Sequence, residues 1–335
     1  MAEGPATLVI GPTWVGDMVM AQCLFSALKE MRPEAPVDVM APAWAAPLVA
    51  RMPEVRRRID LPFSHGRFDL AARWRLGRAL RGQGYDRAYV LPGSWKSALV
   101  PFFARIPRRV GHLREMRYGL LTDIVPLADR MKRRTADAFF SLARGGTFRI
   151  PHLSVDAANQ AGLMATYGLE PKKYVALMPG AEFGPAKRWP GESYAIFARR
   201  MMGQGFGVVL FGSNNDRPVT AEIAALAPGV VDLAGRTRLE DAIDLIAGAR
   251  LGVSNDSGLM HVAAAVGTPI IAVYGSTSPQ NTPPLTEDRE LIWLGLSCSP
   301  CHKKICPLGH TNCLNTLDVS LVAAAAERLL AKAPA

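Results

Sequence analysis

The sequence predicts an α/β protein built from two doubly wound, Rossmann-like domains separated by a cleft. Three observations carry that prediction. Short apolar runs alternate with helical patterns along both halves of the chain, as parallel sheets covered by helices on both faces require. The 335 residues suffice for two domains of ordinary size, each with its own core. Polar, glycine-bearing loops follow several of the apolar runs, and open α/β sheets present ligands at such carboxyl ends. No apolar stretch reaches the length of a membrane span; the best candidate, 262–274, is short and is broken by Gly267 and Pro269.

In the first half a buried strand is expected over 7–11, followed by a loop over 12–17. A helix follows over 18–31, where Met18, Cys23, Leu24, Ala27 and Leu28 recur at helical spacing and Pro33 stops the pattern. Further strands are expected at 37–41 and 86–91, the latter ending at Pro92-Gly93. The second half repeats the scheme. Its strands are expected at 174–178, 207–212, 230–233, 251–254 and 269–275, and its helices at 192–202, 217–227, 239–249, 257–266 and 320–331. The mixed segment 145–171 holds the boundary, giving domains 1–160 and 161–335. No short repeat or low-complexity tract interrupts them.

The net charge of +10 is unevenly placed. Residues 1–150 hold 24 Lys and Arg against 13 Asp and Glu, whereas 151–335 hold 15 against 16. The basic residues fall in stretches that read as helix or loop, at 51–58, 67–87, 105–117 and 130–134. They form either a solvated face or a contact surface for a polyanion. No aromatic-interleaved platform or nucleic-acid motif accompanies them, so anionic lipid or glycolipid ranks above nucleic acid. With no basic n-region or cleavage site at the start of the sequence, the expectation is a cytoplasmic protein that meets a membrane only from its surface.

The most informative segment is Pro-Gly-Ala-Glu-Phe-Gly-Pro-Ala-Lys-Arg-Trp-Pro over 179–190, directly after an apolar run. Gly180, Gly184, Pro185 and Pro190 stiffen this loop, and Lys187 and Arg188 put two cations where an anionic group would lie. A second loop, Asn-Asp-Ser-Gly-Leu-Met-His over 255–261, opens an Ala-rich helix. A helix start binds phosphate through its free N–H groups and the positive end of its dipole. Ser257 is placed to cap that helix, Gly258 lets a ligand approach the backbone, and His261 shares a face with Ser257. Loops at 211–216 and 275–279 add polar groups suited to a ribose, a base or a phosphate, or to a simple turn. Together these loops suggest a diphosphate in a sugar-nucleotide site.

Asp17 ends the first loop, in Gly-Pro-Thr-Trp-Val-Gly-Asp over 11–17. It reads either as the N-cap of the following helix or as a general base. The loop is neither a G-x-G-x-x-G nor a Walker A, which argues against a nicotinamide cofactor and P-loop hydrolysis. Four of the five cysteines cluster as Cys298-x2-Cys301-x4-Cys306-x6-Cys313, with His302 and His310 nearby. That spacing leaves open structural zinc, free or redox-sensitive thiols, or a cluster or disulfides. Cys23, on an apolar helix face, is expected in the core.

At this point the motifs at 11–20, 38–44, 51–55, 86–92, 96–103, 115–121, 179–190, 255–265 and 275–284 resemble, in order, those of the lipopolysaccharide heptosyltransferases, glycosyltransferase family 9. The likeness is to the heptosyltransferase II branch and runs from roughly residue 7 to 285. The resemblance implies a GT-B fold, two Rossmann-like domains facing each other across a cleft. It implies inverting transfer of L-glycero-D-manno-heptose from ADP-heptose to the first heptose of the inner core, heptosyl-Kdo2-lipid A. The first domain would then bind the acceptor and the second ADP-heptose. Asp17 maps to the catalytic base, Lys187 to the cation that stabilises the donor diphosphate, and Asp256, Ser257, Gly258 and His261 to the donor-binding helix start. Gly180, Glu182, Arg188, Leu259, Gly275 and Ser276, from the same loops, complete the expected donor site. The resemblance implies no metal at the reacting centre, peripheral contact with an anionic inner membrane, and no nucleic-acid partner. The cysteine-rich segment 298–313 departs from the family pattern. Two rival readings stand beside it: a relative with another acceptor, and a non-catalytic binding protein responsive to nucleotide or metal.

Overall fold

The computed structural model describes residues 5–63, 68–127 and 134–332. The chain divides into two compact units, Met1–Pro151 and His152–Ala335.

The first unit runs β1 (Ala6–Ile10), α1 (Val15–Met31), β2 (Val37–Ala41), α2 (Ala46–Val49), β3 (Val55–Asp60), α3 (Leu70–Ala79), β4 (Tyr85–Val90), α4 (Leu99–Phe103), β5 (Arg108–His112), β6 (Asp123–Val125) and α5 (Thr135–Ser141). Its six strands form one parallel sheet in the order β3-β2-β1-β4-β5-β6. β1 and β2 are buried along their whole length, the pattern of strands covered on both faces. The order reverses between β1 and β4, so the loop after β1 opens at the topological switch point, where such sheets place ligands.

Two of the basic stretches expected as helix or loop contain strands, β3 at one edge of the sheet and β5 one place in from the other. β3 reads Val-Arg-Arg-Arg-Ile-Asp, and its cations are used internally: Arg56 and Arg57 meet the buried Asp38 at 2.7 and 2.9 Å. Burial works against the Asp38 charge, but hydrogen bonds from Arg56, Tyr85 and Arg57 outweigh it and hold the carboxyl below its usual range. In β5, Arg108 pairs with Asp123 at 2.7 Å. Residues 67 and 130–133 of the other stretches lie outside the described residues. Cys23 is fully buried, as expected, and burial pushes its thiol up to about 12.

The second unit runs α6 (Ala157–Tyr167), β7 (Tyr174–Met178), α7 (Gly191–Gly203), β8 (Gly207–Leu210), α8 (Arg217–Leu226), β9 (Val231–Asp232), α9 (Leu239–Gly248), β10 (Leu251–Asn255), α10 (Gly258–Ala265), β11 (Ile270–Tyr274), β12 (Arg289–Trp293), α11 (Asn312–Asn315) and α12 (Val319–Lys332). The order of its six parallel strands is β12-β11-β10-β7-β8-β9, with the reversal between β10 and β7. The edge strand β12 was not expected, since it is buried only in part and lacks a continuous apolar run. The units part at Pro151/His152 rather than at 160/161. The reason is α6, which packs on α9: Asn159 and Gln160 donate to the Asp244 side chain and carbonyl at 2.8 and 2.7 Å. Among the described residues no helix is long and apolar enough to cross a membrane.

Candidate active site

The second unit assembles most of the predicted residues at the carboxyl ends of β7 and β10, on either side of its reversal point. Asn255, the last residue of β10, fixes the two loops together. Its side-chain nitrogen donates to Pro179 O at 2.6 Å, and its oxygen accepts from the Trp189 N–H at 3.0 Å and the Tyr194 hydroxyl at 3.2 Å. Trp189 is fully buried, packs edge-on to Tyr194 at 4.9 Å, and donates its indole N–H to Leu317 O. The Lys-Arg dipeptide therefore precedes a rigid anchor.

A short 3-10 turn over Pro185–Lys187 brings Lys187 onto Asp256. The ammonium lies 2.6 Å from Asp256 Oδ2 and 3.2 Å from Asp256 O, with side-chain exposures of 14% and 5% for the pair. It also stands over the Phe183 ring at 5.0 Å. Thr277 and Thr282 donate to the two oxygens of the same carboxylate at 2.6 and 3.2 Å. The hydroxyl of Thr277, in the loop read as a phosphate or ribose contact, is thus engaged in positioning Asp256.

Ser257 occupies the position before α10, yet its hydroxyl pairs with Ser254 Oγ at 3.1 Å and caps nothing. The capping expectation is corrected. With no side-chain cap, the start of α10 at Gly258 and Leu259 keeps its backbone N–H groups and dipole available to an anion. His261, one turn further, is buried and pushed down to about 4, first by burial, against the pull of Asp256 and with the help of Lys187. It is neutral at physiological pH.

Arg188 reaches Ala181 O at 3.4 Å and Asp216 at 3.9 Å. Asp216, at the end of the loop after β8, accepts from the Ser213 N–H and hydroxyl through one oxygen, while its other buried oxygen has no hydrogen-bond partner. Arg188 Nε and Ser276 Oγ are buried and unpartnered in the same way. Such orphaned groups suit a polar ligand, because leaving them unmet costs about 1–3 kcal/mol each. Gly180 and Gly212 make room for Asp216: a Cβ on Gly180 would fall 2.4–2.6 Å from its carboxylate. Overpacking of this kind costs about 1–3 kcal/mol. Gly180→Ala is therefore expected to shift Asp216 and to destabilise the second unit by about 1–3 kcal/mol, measured by urea unfolding. Glu182 is exposed on the same loop.

The His261 environment sets a second expectation. The unfolded chain takes up the imidazole proton near pH 6.5, whereas the folded unit resists it to about 4. Stability is complete above pH 6.5 and falls as the pH drops toward 4. The loss between pH 7.5 and 5 is about 2 kcal/mol. Urea unfolding at the two pH values should show this slope in the wild type and a shallower one in His261→Gln.

The cysteine-rich segment underlies these loops. Ala186 N donates to Lys304 O at 3.1 Å, His302 N to Ser276 O at 2.7 Å, and Ser299 Oγ to Gly275 O at 2.6 Å. Cys298, Cys301, Cys306 and Cys313 line one cavity of about 20 Å³ together with His310, Ala186 and Ser276. They are free thiols. Among the described residues no three His, Cys, Asp or Glu side chains are placed to hold a metal ion. Cys313 is drawn into the hydrophobic core beside Leu314 and Leu317, and the Cys306 sulfur faces the N–H groups of Thr311, Leu308 and Gly309.

In the first unit, Trp14 takes the N-cap position of α1, and Asp17 is the third residue of the helix, half-buried in its first turn. The N-cap reading of Asp17 is thereby corrected. Gly11 sits tightly where β1 ends: a Cβ there would lie 2.8 Å from the flexible end of Met18 and 3.2 Å from Met40 O.

Several residues of the site escaped sequence reasoning as individuals: Asp216, Thr277, Thr282 and Asn255. Asn255 had a usable signal, an amide closing the strand pattern Leu-Gly-Val-Ser. The others depend on which loops meet in space.

Known proteins match this arrangement. The model of "Glycosyltransferase family 9 (heptosyltransferase)" matches residues 73–312. The lipooligosaccharide heptosyltransferase 2 of Haemophilus influenzae is 47% identical over 86% of this chain and 88% of its own. The lipopolysaccharide heptosyltransferase 2 of Escherichia coli is 45% identical over 86% and 87%. The solved structure of the E. coli ADP-heptose heptosyltransferase II superposes with a TM-score of 0.86, at 40% identity, over 98% of this chain and 99% of that one. The two parallel six-stranded sheets are those of the GT-B class. The chain belongs to glycosyltransferase family 9, the heptosyltransferases.

Proposed function

We propose that this chain transfers L-glycero-D-manno-heptose from ADP-heptose to the first heptose of the lipopolysaccharide inner core, with inversion. The observation that carries the reading is the Lys187–Asp256 pair beside the uncapped start of α10. Fixed cations and helix N–H groups are what a departing diphosphate needs. The heptosyltransferase 2 relatives at 45–47% identity support the acceptor step.

In this reading the second unit binds ADP-heptose through Gly180, Glu182, Lys187, Arg188, Asp256, Ser257, Gly258, Leu259, His261, Gly275 and Ser276, with Asp216 added. The first unit binds the lipid A–Kdo–heptose acceptor. Asp17 takes the proton of an acceptor hydroxyl, whose oxygen attacks the anomeric carbon from the face opposite ADP. The bond from that carbon to the diphosphate oxygen breaks, and its electron pair leaves with ADP. Lys187, Arg188 and the α10 N–H groups offset the charge that develops there. Charge stabilisation is thus supplied by the chain's own residues. The cysteine-rich segment braces the donor loops and takes no part in the reaction. The enzyme works in the cytoplasm at the inner face of the inner membrane.

The test is incubation with ADP-heptose and Kdo2-lipid A acceptors bearing zero or one heptose, read by mass spectrometry. Addition of one heptose to the mono-heptosylated acceptor alone is the expected result. Transfer to the heptose-free acceptor would change the step, and transfer to neither, with ADP still bound, would overturn the reading.

A further inference from the structure

The first unit carries a cationic, aromatic face that its own acids do not neutralise. Arg73 and Gly77 of α3, and Leu80 at its C-cap, are buried. Gly77 lets α3 lie directly on α4; a Cβ there would be 2.5 Å from Phe103 Cβ. The outer surface of the pair exposes Leu70, Trp74 and Phe102, at 48%, 43% and 40%. The Arg78 guanidinium covers one face of Trp74 at 4.9 Å, and Arg109 one face of Phe102 at 5.5 Å. Arg81 joins the two helices by donating to Phe103 O at 2.8 Å.

Charge completes the picture. Segments 68–82 and 95–109 contain eight Lys and Arg against one acid, Asp69, whose carboxylate is already used to cap α3. Arg32, Arg56, Arg57, Arg58, Arg108 and Arg144 of the same unit each meet a carboxylate. Among the described residues no ion pair joins Arg75, Arg78, Arg81 or Arg105 to an acid. Partial burial, and then Arg105 and Arg78, depress the Arg81 pKa, so like charges are held close here.

We propose that the outer face of α3 and α4 docks on an anionic phospholipid bilayer. This rests on the reading that the acceptor is lipid-linked. Leu70, Trp74 and Phe102 supply the apolar and ring surface that enters the headgroup boundary, and the four arginines meet lipid phosphates. A nucleic acid is the poorer fit, because arginines already cover a face of each ring that would stack on bases.

Co-sedimentation of the full chain with phosphatidylglycerol–phosphatidylethanolamine vesicles, against phosphatidylcholine vesicles, tests the proposal. Wild type is expected to pellet with the anionic vesicles only. Trp74→Ser/Arg78→Glu and Arg75→Glu/Arg105→Glu should each weaken partitioning about tenfold or more. The second variant leaves every apolar contact in place, so a folding defect in the first does not decide the matter; circular dichroism checks both. Transfer to a deacylated, soluble acceptor should keep its wild-type kcat/KM in both variants. Wild type left in the supernatant, or variants that pellet like wild type, would overturn the docking face. Loss of turnover on the soluble acceptor would also overturn it, by making the face part of the acceptor site. Failure of the wild type itself to transfer heptose counts against the function reading alone, since vesicle binding is scored separately.

Discussion

Asp17→Asn is expected to lower kcat by about 10²–10⁴-fold, the usual contribution of a general base, while the Kd for ADP stays within about twofold, because in the proposed reading the residues of the second unit hold ADP. Asn keeps the size and the first-turn position of Asp17 but cannot take a proton. The helix start loses a favourable acid, a cost of about 0.3–1 kcal/mol, so melting temperature should fall by only a few degrees. Steady-state rates of ADP release, calorimetric titration with ADP, and a thermal melt separate these effects. The lesion must appear in kcat with ADP affinity retained. If turnover survives with folding intact, the base lies elsewhere and Asp17 is a structural first-turn acid.

The sequence reading was most successful where local pattern and burial agree. β2 and β7 are buried along their whole length, β7 apolar throughout and β2 apolar but for Asp38, and both were placed to the residue. β3, at the sheet edge, and β5, next to the other edge, were misread because such strands tolerate arginines when partners lie alongside, and Asp38 and Asp123 are invisible as partners until the sheet is formed. The same limit governs the site. Lys187 and Asp256 were both legible, each from its own loop, but their 2.6 Å contact across 69 residues was not. The cysteines show the converse. Their spacing left metal, thiols and disulfides open, and it gave no sign that Cys313 belongs to the core packing of α11. Ser257 was recognised as the residue before a helix, but Ser254, three residues earlier on a buried strand, captures its hydroxyl. Local motifs thus announced where the ligand loops lie, and tertiary pairing decided what each side chain does there.

That pairing frames the second large expectation. Lys187→Ala should lower kcat by about 10²–10³-fold, the loss seen when one donor to developing charge is removed. It should also destabilise the second unit by about 3–5 kcal/mol, because Asp256 is left as a buried charge without its cation. Asp256→Asn should destabilise to a similar degree from the other side, stranding the ammonium above Phe183. The single variants alone therefore confuse a stabilising role with a catalytic one. The double variant Lys187→Met/Asp256→Asn resolves them. With both charges gone, Thr277 and Thr282 still have an amide to bond, and most of the stability should return. Turnover should not, since Met offers the diphosphate no charge. Urea unfolding and single-turnover rates on all four proteins give the two coupling energies. Recovery of stability without recovery of rate would assign Lys187 to the chemistry and Asp256 to holding it in place. Recovery of both would reduce the pair to a structural bridge and leave the donor charge to Arg188 and the start of α10.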